Sequence, residues 1–193
     1  MKYAFDLDDT LSDTASIINE YAEKFDKEFL KGKGKMKKIN NAVDYYYFAE
    51  ALNWNKDNIR DFFKQYYIEI IEKVKVKPFV SETINKLKSE NNEIYIISAR
   101  RKREENVIEN ITKKWLNKNN IYYDGLYINA KEKVSLVNEL NIDFFIDDSY
   151  KNCKEVLENT KAKVFMVKTE FNKQIKDNKI RGIKSINQIL KER

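Results

Sequence analysis

Apolar and polar positions divide the chain into a helical block and a strand–helix alternation. Lys2–Leu7 is a short apolar run, read as a strand, that leads into Asp6-Leu7-Asp8-Asp9-Thr10. Beyond it Ile17, Ile18, Tyr21, Phe25 and Phe29 recur at helical spacing, with Ser12 or Asp13 placed to cap the helix. The Gly/Lys segment Lys31–Lys38 ends that element. A second helix is predicted over about Ala42–Leu52. A third spans Lys56–Lys73, where Ile59, Phe62, Phe63, Tyr66, Tyr67, Ile70 and Ile71 form a broad apolar face. Pro78, the only proline, marks a change of texture. After it helices are predicted at Val80–Asn91, Glu104–Asn119, Lys131–Leu140, Lys151–Asn159 and Ser185–Lys191. Between them Glu93–Ser98, Gly125–Ile128, Asp143–Asp147, Lys163–Val167 and Ile180–Ile183 read as strands. Such alternation implies an α/β fold, a parallel sheet covered by helices on both faces with right-handed crossovers. Residues 1–12 and 78–193 form this sheet unit, and 13–77 a helical insert after the first strand. Asp6, Ser98, Asp147 and Asp148 end strands, where open α/β sheets bind ligands, and are expected to converge.

Composition narrows the chemistry. A length of 193 residues fits one domain carrying an insertion, and 42% hydrophobic and 13% aromatic residues exclude wholesale disorder. No apolar run is long enough to span a bilayer. The N-terminus reaches Asp6 before a signal-peptide core can form, so a cytoplasmic protein without membrane contacts is expected. The single cysteine, Cys153, excludes an internal disulfide. The absence of histidine excludes Ser-His-Asp and Cys-His machinery and His-ligated zinc. Carboxylates, lysines, hydroxyls and an oxygen-loving metal remain. The net charge of +6 invites a nucleic-acid reading, but it is mostly lysine spread along the chain. Only Lys31, Lys33, Lys35, Lys37 and Lys38 form a dense run, read as a solvated, mobile loop or else a lid for phosphate or acidic partners.

FDLDDTL, IIS before Ala99-Arg100, a helix-initial lysine and FFIDD together resemble the four motifs of the haloacid dehalogenase-like superfamily, in its order and spacing. The stretches ISARR, KKWLNKNNIYYDGLYI, NIDFFIDD and VFMVKTEFN are similar to its 5'(3')-deoxyribonucleotidases and their bacterial relatives. The resemblance implies a Rossmann-like, doubly wound core with a C1-type helical cap, and a magnesium-dependent phosphatase. Asp6 would be the nucleophile that forms an aspartyl-phosphate. Asp8 would be the general acid-base, a group that haloacid dehalogenases lack and P-type ATPases replace by Thr. Ser98, with the Ala99 N–H, would bind phosphoryl oxygens. Lys133 would neutralise charge, with Lys131 as its rival. Mg2+ would take the Asp6 side chain, the Asp8 carbonyl and a carboxylate of Asp147-Asp148. Comparison with the family's Gly-Asp variant makes Asp148 the direct ligand and Asp147 a second ligand or a group orienting water. Arg100, with Arg101 beside it, would reach a substrate phosphate or a carboxylate of the fourth motif, or simply start a surface helix. Asp9 would serve the turn.

The insert contains Asp44-Tyr45-Tyr46-Tyr47-Phe48, with Trp54 close by. Such rings stack on a nucleobase or pack the insert's own core. The expected substrate is a small phosphorylated molecule, foremost a nucleoside or deoxynucleoside monophosphate. The alternatives are a polynucleotide 3'-phosphatase, which a cap over the site disfavours, a general metabolite phosphatase, and a non-catalytic binding module, which would carry a damaged motif. The sequence leaves homo-oligomerisation open.

Overall fold

The computed structural model of the chain describes residues 1–37, 47–101 and 106–192. Six strands form one sheet: β1 (Lys2–Phe5), β2 (Glu93–Ser98), β3 (Gly125–Ile128), β4 (Phe144–Asp147), β5 (Lys163–Val167) and β6 (Arg181–Ile183). Every pairing is parallel, in the order β3-β2-β1-β4-β5-β6. The order reverses between β1 and β4, the switch point at which such sheets open a crevice.

The strands are aromatic and β-branched, and their side chains alternate between two buried faces. Tyr3, Phe5, Ile94, Ile96, Ile146 and Phe165 pack beneath α4 (Val80–Ser89), α5 (Val107–Lys118) and a closing 3-10 helix (Ile186–Lys191). Ala4, Tyr95, Ile97, Phe145 and Val164 pack against α6 (Lys133–Glu139) and α7 (Tyr150–Asn159). The predicted doubly wound α/β architecture is therefore observed. Among the described residues no helix is long and apolar enough to cross a membrane.

Among the described residues three helices precede α4 in the stretch between β1 and β2 and form the insert: α1 (Thr14–Phe29), α2 (Tyr47–Ala51) and α3 (Lys56–Lys73). The first part of the helix predicted from Ala42 falls on residues 42–46, outside the described residues, as do Lys38 and residues 102–105. The cap of α1 differs from the expectation. Asp13 occupies the N-cap position without a side-chain capping bond, and Asp9 Oδ1 instead accepts the Ala15 N–H at 2.8 Å. α3 begins at a reciprocal cap between Asn55 and Asn58. The two connections of the insert run side by side: Asp13 N–H bonds Lys75 O at 2.8 Å and Lys77 N–H bonds Leu11 O at 2.9 Å.

The insert has its own core, built on Ile18, Phe25, Phe48, Phe62, Tyr66 and Ile70. Phe62 is fully buried, with ring centroids of Phe25, Phe48, Trp54, Phe63 and Tyr66 within 5.0–5.9 Å. Truncating a buried phenylalanine costs about 3–5 kcal/mol through lost burial and a residual cavity. Phe62→Ala is expected to lose stability in that range, read as a lower urea midpoint. An unchanged midpoint would show that this cluster adds nothing to stability.

The Gly/Lys segment is anchored, contrary to the mobile-loop expectation. Buried Asp26 accepts the Gly34 N–H and the Trp54 Nε1–H, each at 2.9 Å, while Asp26 O accepts the Gly32 N–H. A Cβ on Gly32 would fall 2.0 Å from Asp26 Oδ2, so glycine is what lets the backbone wrap this carboxylate. Lys31, Lys33, Lys35 and Lys37 stay exposed.

Candidate active site

Strand register brings the sequence-selected residues together. Phe5 pairs with Ile96 on one side and Ile146 on the other, so β1, β2 and β4 end at nearly one level. Asp6 follows β1 and is fixed by its own N–H to Ile146 O at 2.8 Å. Ser98 ends β2, Asp147 ends β4, and Lys133 opens α6 after β3.

Lys133 is the hub. Its buried ammonium donates to Asp6 Oδ1 and, at 2.7 Å, to Asp147 Oδ2. Lys131 is exposed. Burial opposes the charge on Lys133, but Asp147 and Asp6 more than offset it and raise its pKa. Both Asp147 oxygens have partners: Oδ2 also accepts from Asn152 Nδ2 at 3.0 Å, and Oδ1 accepts the Ser149 N–H at 2.7 Å. Asp148 has far less. Among the described residues its side chain takes only a long bond, 3.3 Å from the Thr10 hydroxyl. Asn172 Nδ2 holds the Asp148 backbone carbonyl at 2.7 Å.

One ligand atom from each of Asp6, Asp147 and Asp148 lies within 4.8 Å of the others. Burial pushes the pKa of Asp6 up; Asp147 and Asp8 push it further, and Lys133 opposes them. Burial, then Asp147 and Asp6, push Asp148 well up. Lys133, bonded within the cluster, and Lys77, which acts on Asp148 from farther off, are too little positive charge for three buried carboxylates. An all-oxygen donor set with surplus negative charge fits a hard divalent cation such as magnesium.

Asp8 sits apart from this cluster. Arg100 grips it with a fork, Nε to Oδ2 at 2.9 Å and Nη2 to Oδ1 at 2.8 Å, and Thr14 donates to Oδ1 at 2.8 Å. Burial works against the Asp8 charge, yet Arg100 and Thr14 hold its pKa below the ordinary carboxylate range. The carboxylate that Arg100 grips is thus the second aspartate of the first motif, where one of the fourth motif was expected, and the side chain is buried rather than at a surface helix start.

Ser98 Oγ accepts the Arg100 N–H at 3.2 Å, which turns the chain at the strand end and leaves the hydroxyl proton to donate. Ala99 is exposed. The Arg101 N–H meets Tyr67 Oη of α3 at 3.1 Å, a contact between sheet unit and insert. Asp9 is buried with φ 58°, caps α1, and has its pKa raised by burial to about 6. Of the insert rings proposed for stacking, Phe48 and Trp54 belong to the insert core. Tyr47 instead lies 5.9 Å from Phe171, beyond β5, with its hydroxyl on Asn19 Oδ1 at 2.6 Å. Asp44, Tyr45 and Tyr46 lie outside the described residues.

Sequence reading did not single out Thr10, Thr14, Asn152 or Asn172. Thr10 stood inside DLDDT and Asn172 inside VFMVKTEFN, but neutral residues on turns carry no charge or spacing signal.

The sheet order puts the ligand crevice at the switch point between β1 and β4, and the lysine-bridged carboxylate cluster lies at those strand ends. The family model described as haloacid dehalogenase-like hydrolase matches residues 3–119, more than half of the chain. The chain belongs to the haloacid dehalogenase-like hydrolase family. It is 22% identical over 173 residues to "Putative nucleotidase BH1399" of Halalkalibacterium halodurans, covering 89% of this chain and 82% of that protein. It is 26% identical over 135 residues to "Putative nucleotidase YqfW" of Bacillus subtilis, covering 69% of this chain and 67% of that one. Its fold is similar to the haloacid dehalogenase-like family protein SP0104 of Streptococcus pneumoniae, with a TM-score of 0.67, 14% identity, and coverage of 100% and 98% of the two chains.

Proposed function

We propose that the protein is a magnesium-dependent phosphatase that hydrolyses phosphomonoesters through an aspartyl-phosphate on Asp6, with nucleoside or deoxynucleoside monophosphates as substrates. The observation that carries this is Lys133 bonded to both Asp6 and Asp147, with Asp148 beside them and Asp8 two residues beyond Asp6. Asp6 attacks phosphorus, and the bond from phosphorus to the leaving oxygen breaks as the Asp6 bond forms. Asp8, which Arg100 and Thr14 hold charged in the free enzyme, takes up a proton as the phosphate ester binds and gives it to the leaving oxygen. It then takes one from the water that cleaves the acyl phosphate and frees Asp6. Ser98 Oγ–H and the Ala99 N–H donate to phosphoryl oxygens, and Lys133 holds Asp6 in place and offsets charge. Asp6, Asp148 and the Asp8 carbonyl would hold magnesium, with Asp147 kept in orientation by Lys133 and Asn152. Bound magnesium supplies positive charge to the phosphoryl oxygens. Residues 13–77 would act as a cap that excludes water over a small substrate.

Nucleotides are favoured by the names of the two relatives. Tyr47, the described ring of the Asp44–Phe48 stretch outside the insert core, offers a face for a base. The test is phosphate release from nucleoside monophosphates, sugar phosphates and 3'-phosphorylated oligonucleotides, with and without magnesium. Nucleoside monophosphates are expected to exceed sugar phosphates in kcat/KM by at least about tenfold, roughly 1.4 kcal/mol of transition-state binding. Equal rates would make the enzyme a general metabolite phosphatase. Preference for the oligonucleotides would move the substrate to nucleic-acid ends.

A further inference from the structure

Arg100 is 4% exposed and braced at both ends. Its Nη1 donates to Thr112 Oγ1 at 3.1 Å, and the Thr112 hydroxyl in turn donates to Ile108 O at 2.8 Å, inside α5. At the other end the guanidinium takes both oxygens of Asp8, whose side chain is still 23% exposed. A planar fork on a carboxylate fixes its orientation as well as its charge, which a lysine cannot do. The two Asp8 oxygens are left unequal. Oδ1 accepts from both Arg100 and Thr14, whereas among the described residues Oδ2 accepts from Arg100 alone. Oδ2 therefore keeps the spare lone pair.

We propose that Arg100 is the positioning residue for Asp8: braced by Thr112, it turns Asp8 Oδ2 toward the leaving-group oxygen, and Oδ2 is the atom that passes the proton. Arg100 itself touches no substrate. This rests on the acid–base reading of Asp8, and the experiment separates the two. kcat/KM is measured with p-nitrophenyl phosphate, whose leaving group needs no proton, and with a nucleoside 5'-monophosphate, whose alkoxide does. Asp8→Asn, Arg100→Met, Arg100→Lys, Thr112→Val and the double variant Asp8→Asn/Arg100→Met are compared with the wild type. Arg100→Met is expected to lose about 10²-fold on the nucleotide, the lower range of general acid catalysis, and about fivefold on p-nitrophenyl phosphate. Arg100→Lys, which keeps the charge without the fork, is expected to show the same split, and Thr112→Val a smaller one. In the Asp8→Asn background Arg100→Met is expected to cost less than about twofold more, because a residue acting only through Asp8 has nothing left to act on. Equal losses of Arg100→Met on both esters, or full additivity in the double variant, would show an arginine that binds the phosphate and overturn the proposal. If Asp8→Asn shows the split and neither Arg100 variant does, only the Arg100 role fails. If Asp8→Asn falls equally on both esters, the acid–base reading fails and the role of Arg100 with it.

Discussion

Asp6→Asn is expected to abolish phosphate release, by at least about 10⁴-fold, while leaving the protein folded. The size follows from the role. Loss of a covalent nucleophile removes the easier two-step route altogether, and single-residue losses of that kind reach about 10⁶-fold. An asparagine amide keeps the volume and offers an oxygen to Lys133, but it cannot form the acyl phosphate. Stability should move the other way. Asp6 is buried, and Asp147 and Asp8 push its pKa up further against the pull of Lys133. Removing one of three crowded carboxylates leaves Lys133 paired with Asp147, so without magnesium the variant is expected to melt no lower than the wild type. Activity and thermal melting measured on the same preparation check both halves. Turnover within tenfold of wild type would place the nucleophile elsewhere, and a collapse in Tm would show that Asp6 has a structural role.

The strand ends explain why so much of the site can be read from the chain. A buried parallel strand is an apolar run, so its first polar residue stands out, and the register sets Asp6, Ser98 and Asp147 at one level without any further signal. Lys133 is legible for a related reason: it opens a helix directly after a strand. Contacts made across the fold are different. Arg100 to Asp8 joins residues 92 apart, and no local pattern says which carboxylate a buried arginine will take. The same holds for Thr10 on Asp148 and Asn172 on its carbonyl, where neutral hydrogen bonds depend on turn geometry. The cap of α1 shows how a local rule loses to tertiary structure. Ser12 and Asp13 stand at the right places, but the ribbon formed with Lys75–Lys77 engages their backbone, and Asp9 reaches over instead. The Lys31–Lys37 segment reads as loose because glycine and lysine dominate it. Its order comes from partners elsewhere in the insert: buried Asp26 and Glu23 of α1, and the Ala51 carbonyl of α2.

Asp8→Asn and Asp148→Asn are expected to fail in opposite ways. Asp148 is buried, its pKa is raised by burial and by Asp147 and Asp6, and its side chain has only the long Thr10 bond among the described residues. Asp147 has a lysine, an asparagine amide and a backbone N–H. On the proposed reading Asp148, the least compensated carboxylate, would be the one that takes the cation. Asp148→Asn is therefore expected to weaken magnesium binding by more than the 10–100-fold that loss of an outer-shell partner costs, and to lose turnover at ordinary magnesium levels for that reason. Excess magnesium should restore part of it. On the proposed reading Asp8 would offer the metal only its backbone carbonyl, which Asp8→Asn retains. Its carboxylate faces Arg100 and Thr14, and the amide cannot carry a proton in its place. Turnover on alkyl phosphates is expected to fall about 10²–10⁴-fold, with magnesium affinity within about threefold of wild type and no rescue by added metal. Titration calorimetry with magnesium and a magnesium series of rates on both variants decide it. If Asp8→Asn loses magnesium as badly as Asp148→Asn, or if Asp148→Asn binds it normally, the division of labour between the two strand ends is wrong, whatever the substrate proves to be.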